Sequence, residues 1–78
     1  MTTATTIRFT AKIRRWDADK LVKRKAATMA STDIRINLTI VDNLHTAVVH
    51  VEITGDEHQA NAFKEWVQTF ALEPLQSN

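Results

Sequence analysis

Three stretches alternate apolar and polar residues with a period of two: Ile7/Phe9/Ala11/Ile13, Ile34/Ile36/Leu38/Ile40 and Ala47/Val49/Val51/Ile53. Successive side chains of a strand point to opposite faces, so each stretch predicts a strand with one buried face and one wet face. Because all three read this way, the sheet is expected to be covered on one side only. The other side would be lined by Arg8, Thr10, Lys12, Arg14, Arg35, Asn37, Thr39, His50, Glu52 and Thr54. The strands are expected over about residues 6–14, 33–41 and 46–54. Asp42-Asn43-Leu44-His45 would join the last two as a hairpin, since Asn and Asp form turns through their own side-chain hydrogen bonds.

Two helices fill the remaining stretches. The first begins near Asp17, which reads as an N-cap, with Trp16 placed to pack on Leu21 as a hydrophobic staple and Asp19 near the positive end of the helix dipole. Its apolar stripe would be Ala18, Leu21, Val22 and Met29, but Lys25 falls in the middle of it. Three readings of Lys25 stay open. The helix ends or frays early, the lysine stem lies over apolar surface with its ammonium in water, or the cation serves a ligand pocket or interface. The second helix follows Gly55, the one glycine of the chain, with Asp56 and Gln59 spaced as a capping box. It puts Ala60, Phe63, Trp66, Val67, Phe70 and Ala71 on one face and Glu57, His58, Asn61, Glu65 and Gln68 on the other, which reads as a core-facing stripe.

The expected order is β-α-β-β-α, with a possible fourth strand in the tail. Pro74 lacks the N–H a central strand must donate, so residues 72–75 are expected to form at most a short edge strand. Residues 1–5 read as a flexible lead-in. Two helices on one face of an antiparallel sheet bury every apolar stripe of this pattern, which predicts an α+β class.

Size sharpens the picture. A single domain of 78 residues is expected, and a chain of this length buries only about 60% of the surface it exposes unfolded. With no cysteine, disulfides and thiolate zinc sites are excluded as supports, so association with a second copy or a protein partner is the expected source of extra burial. Hydrophobic residues at 44% and charged residues at 24% fit a globular chain. No apolar run reaches the length of a membrane span and the threonine-rich start does not read as a secretory signal, so a cytoplasmic location without membrane contact is expected.

With the element order in place, Thr46-Ala47-Val48-Val49-His50-Val51-Glu52-Ile53-Thr54-Gly55-Asp56-Glu57, continuing into Phe63-Lys64-Glu65-Trp66-Val67, resembles small ferredoxin-like regulatory domains, the NIL domain and its ACT-like relatives. In that family a strand ends in a Gly-Asp/Glu step, an amphipathic helix follows, and a short last strand closes the sheet; Leu72-Glu73-Pro74-Leu75 stands at that last position. The resemblance implies a ferredoxin-like β-α-β-β-α(-β) fold and a regulatory binding role. ACT-like domains often carry a glycine-containing turn after the first strand, where a small ligand approaches the backbone. Arg14-Arg15-Trp16-Asp17 stands there in this chain.

Motifs for catalysis are missing: no cysteine, only Ser31 and Ser77 as serines, no glycine-rich phosphate loop and no paired histidine metal motif. The expectation is a non-enzyme without cofactor or metal. His50 and Glu52 share a strand face, with Arg8, Lys12 and Arg14 expected on a neighbouring strand; they make either a polar binding platform or a solvated face with cross-strand charge pairs. The candidate binding residues are therefore Arg8, Lys12, Arg14, Arg35, His50 and Glu52 of the open face, and Lys25. Arg8, Lys12, Arg14, Arg15, Lys20, Lys23, Arg24 and Lys25 also make the first third basic, which points to an anionic partner although the formal net charge is only +1. An RNA platform would need aromatic residues on the central strands, and Arg8, Thr10, Lys12 and His50 occupy those places.

Three functions are weighed on this basis. The first is a non-catalytic docking or small-ligand module using the open face or a strand edge, with homodimerisation through residues 6–14. The second is a nucleic-acid or ribosome-associated protein using the basic cluster. The third is a small stoichiometric inhibitor or accessory subunit.

Overall fold

The computed structural model describes residues 4–77. Along the chain lie β1 (Ala4–Arg14), a 3-10 turn (Arg15–Asp17), α1 (Ala18–Ser31), β2 (Arg35–Asp42), β3 (Thr46–Asp56), α2 (Glu57–Gln68) and β4 (Gln76–Ser77). The four strands form one sheet in the order β2-β3-β1-β4, with each neighbouring pair antiparallel. This is a ferredoxin-like α+β fold, with both helices on one face of the sheet.

Alternation sets the layering. Phe9, Ala11 and Ile13 of β1, Ile36 of β2, and Ala47, Val49, Val51 and Ile53 of β3 are all buried, where they meet Leu21 of α1 and Ala60, Phe63 and Val67 of α2. The aromatic stripe of α2 continues outward as a chain of ring contacts. Phe63 and Trp66 lie 5.7 Å apart, Trp66 and Phe70 meet edge-on at 4.8 Å, and the Arg24 guanidinium of α1 sits 5.3 Å from the Trp66 ring.

The helix starts differ from one another. Asp56 is extended and its Oδ2 accepts the Gln59 N–H at 3.1 Å, as the spacing predicts. Asp17 makes no such bond, because the 3-10 turn has already wound it into helical geometry; its carboxylate is buried and meets Lys20 Nζ at 3.3 Å instead. The expected staple is likewise absent, since Trp16 is 66% exposed while Leu21 is fully buried. An early end or fraying of α1 at Lys25 is also overturned: the helix runs on to Ser31, and Lys25 is half-buried on its inner side between Leu21 and Thr28. Leu21 takes the core position, and Val22 and Met29 are left 48% and 40% exposed.

Both ends of the sheet also depart from the expected bounds. β1 starts at Ala4 rather than after residue 5, because β3 extends to Asp56 and supplies partners for Ala4 and Thr5; residues 1–3 of the expected lead-in lie outside the described residues. The fourth strand falls after Pro74, at Gln76–Ser77, which pairs with Thr10 and Phe9. Leu72 N–H also donates to Lys12 O at 2.8 Å. The tail therefore covers the middle of β1, so residues 6–14 are not the free edge expected from the sequence. β2, paired only with β3, is the strand left at the margin of the sheet.

Candidate functional site on the open sheet face

Each strand sends its second set of side chains to the face that no helix covers, and the register arranges them in rows. Arg35 of β2, Thr54 of β3 and Thr6 of β1 form one row; Asn37, Glu52 and Arg8 form the next. Thr39, His50, Thr10 and Gln76 make a third row across all four strands. Val41, Val48 and Lys12 follow, and Thr46 lies opposite Arg14 at the end of the ladder.

The second row is a connected polar group. Arg8 Nε donates to Glu52 Oε2 at 2.7 Å, and Asn37 Nδ2 donates to Glu52 Oε1 at 3.5 Å. The Arg8 hydrogen bond and charge, aided by Asn37, hold the Glu52 carboxyl below its ordinary value of 4.5. Glu52 is thus kept ionised and oriented by neighbours on both adjoining strands. In the third row His50 Nδ1 lies 3.2 Å from Thr10 Oγ1, and in the first Thr6 and Thr54 hydroxyls are 3.3 Å apart. Lys12 Nζ reaches Glu73 of the tail at 3.6 Å, and the Arg14 guanidinium lies 5.8 Å from the ring of the exposed Trp16.

Six of the residues singled out from the sequence, Arg8, Lys12, Arg14, Arg35, His50 and Glu52, therefore share this face. Lys25 does not: it belongs to the helical layer on the other side of the sheet. The same division splits the basic cluster, since Lys20, Lys23, Arg24 and Lys25 ride on α1 while Arg8, Lys12 and Arg14 line the open face. Asn37 and Thr10 were visible as face residues, but their bonds to Glu52 and His50 depend on cross-strand register. Glu73 carried no signal at all; the bond from Leu72 N–H to Lys12 O is what brings it to Lys12.

This surface can present cations, amides and hydroxyls at fixed spacing. The strand positions on it include Arg8, Lys12, Arg14 and Arg35, with Glu52 beside Arg8, and no aromatic ring stands on its central strands for base stacking. Among the described residues no three of His, Cys, Asp and Glu gather closely enough to hold a metal ion, and no helix is long and apolar enough to cross a membrane.

No family model matches the chain, and no curated protein matches it. Among solved structures it is similar to the de novo designed protein Ferredog-Diesel, with a TM-score of 0.72 and 17% identity over 100% of this chain and 88% of that one. At that identity the likeness concerns the fold alone, which is ferredoxin-like.

Proposed function

We propose that this chain is a non-catalytic docking module that binds another protein through the open face of its sheet, to a partner surface rich in carboxylates and amides. The observation that carries this reading is the placement of Arg8, Lys12, Arg14 and Arg35 together on one uncovered face. Opposite charge across an interface steers encounter and fixes register, and a rigid sheet holds these groups at set separations. The regulatory role implied by the resemblance to NIL and ACT-like domains, and a cytoplasmic location, belong to this same proposal.

Nucleic acid is the competing anion. Phosphate contacts alone give salt-sensitive, sequence-independent binding, and the division of the basic residues between two sides of the sheet offers no single tract for a strand to follow. The test measures binding of poly-L-glutamate and of a thymidine oligonucleotide at low and high salt. It uses the wild type, an open-face charge reversal (Lys12→Glu with Arg35→Glu) and a helix reversal (Lys20→Glu with Lys23→Glu). Binding of polyglutamate that is lost only in the open-face variant supports the reading. Preference for the oligonucleotide, equal loss in the helix variant, or no binding of polyglutamate overturns it.

A further inference from the structure

The two most exposed large apolar side chains among the described residues stand at the same end of the sheet. Asp17 is buried while Trp16 beside it in the 3-10 turn is 66% exposed, and Leu44 in the β2–β3 turn is 78% exposed. Arg15 N–H donates to His45 O at 3.1 Å, which sets the two turns side by side with Trp16 and Leu44 each one residue from the joining bond. Val41, also exposed, and Val48 opposite it carry the apolar surface onto the open-face flank of this tip. An indole and a leucine left in water run against the force that buries the rest of the chain, and apolar side chains grouped in this way mark an interaction site.

The charges around the tip select what covers it. Arg14 and Arg15 are exposed, and neither makes an ion pair among the described residues. The Arg14 guanidinium, 5.8 Å from the Trp16 ring, keeps a cation beside the indole. The neighbouring carboxylates are neutralised or turned away. Asp17 meets Lys20, Asp19 meets Lys23 and Glu73 meets Lys12. Asp42, opposite Ala47, points to the helix side of the sheet, whereas Arg14 and Val41 point to the open side. Unpaired cations flanking exposed apolar groups complement an anionic bilayer surface, where leucine enters the acyl boundary, the indole rests at headgroup level and guanidinium meets phosphate. A protein partner must ring its anchor with contacts that exclude water. Leu44 instead stands between exposed Asn43 and His45, which a deformable lipid surface accommodates.

We propose that this tip, Trp16 and Leu44 with Arg14 and Arg15, attaches the chain reversibly to an anionic lipid surface. The expectation of no membrane contact rests on the absence of a span, and attachment of this kind needs none. Arg35, paired with Thr54 toward the other end of β3, stands about 25 Å from the Thr46 end. That part of the open face stays clear of the lipid, so the attachment stands or falls independently of what the face binds.

The probe is a vesicle of equal parts phosphatidylcholine and phosphatidylserine, compared with one of phosphatidylcholine alone. The wild type is expected to sediment with the mixed vesicles and to bind phosphatidylcholine roughly tenfold more weakly. In a Trp66→Phe background the emission of Trp16 should shift to the blue as mixed vesicles are added. Trp16→Ala and Leu44→Ser should each weaken binding roughly tenfold, and Arg15→Glu roughly fivefold or more. All three positions are exposed, so the circular dichroism spectrum should not change. Met29→Ser, which removes a partly exposed apolar side chain toward the far end of α1, should bind as the wild type does. No binding to the mixed vesicles at low salt overturns the proposal, and so does binding that Trp16→Ala and Leu44→Ser leave intact or that Met29→Ser weakens as much. Self-association of the wild type that is lost in Trp16→Ala, without vesicle binding, overturns it in favour of a protein contact at the tip.

Discussion

Arg8 Nε lies 2.7 Å from Glu52 Oε2, directly across the β1–β3 ladder. The pair gives the open face a pH dependence of known sign. Because the folded Glu52 carboxyl is held below its ordinary value, the stabilisation it contributes is fully present above the unfolded carboxyl range and is lost as pH falls through the lowered value. Glu52→Gln is therefore expected to reduce stability at neutral pH and to converge with the wild type in acid, as read by urea denaturation at a series of pH values. Carbon-detected titration of Glu52 should show its pKa rising in Arg8→Ala and rising less in Asn37→Ala, since Arg8 acts through both a hydrogen bond and its charge.

Gly55 is expected to tolerate no side chain. Its φ of +147° lies where L residues are strained, and a Cβ there would stand 2.7 Å from Ile34 Cγ2 and 2.9 Å from Ile34 Cα. Gly55→Ala should lower stability by roughly 1–3 kcal/mol from the backbone alone, with the contact against Ile34 adding to it. Thermal and urea unfolding measure the loss, and a variant as stable as the wild type would show that Ile34 and β3 can separate at no cost.

On α1 the expected contrast is between adjacent positions. Leu21 is fully exposed to core neighbours and closed to water, while Val22 is 48% exposed. Leu21→Ala should cost about 2–5 kcal/mol; Val22→Ala should change stability by less than about 0.5 kcal/mol. Equal losses at the two sites would mean that the helix is seated on a different face.

The carboxylate that caps α2 is expected to act through its acceptor oxygen. Asp56→Ala removes the bond to the Gln59 N–H and should cost about 1 kcal/mol. Asp56→Asn, which keeps an acceptor oxygen, should recover most of that loss in the same denaturation series.

How far these features could be read from the chain depends on what encodes them. β1 and β3 were legible because nearly every second side chain enters one core, and the hairpin followed from Asp42 and Asn43. The inner face of α1 was not, since Ala18, Leu21, Val22 and Met29 span an arc wider than the contact the sheet offers, and packing had to choose Leu21 over Val22. β4 was expected in the tail but at residues 72–75: two residues have no period, and the strand is placed by its backbone partners on β1 rather than by its own side chains. The membership of the open face came from alternation, whereas its pairings came from register. Arg8 meets Glu52 through a pairing between strands that are far apart in sequence, and no local signal announces it.

The sheet order carries a further consequence for how the chain is made. β1 and β2 do not pair with each other; each is held by β3, which lies between them. A nascent chain extended only as far as Asp42 therefore has two finished strand sequences and no ladder in which to place them. Once β3 follows, the four-residue-spaced hairpin with β2 can close at once from Asn43 and Thr46, while β1 must return across the whole of α1 to find its eleven partners. Synthesis of β3 is the step at which the sheet can first exist.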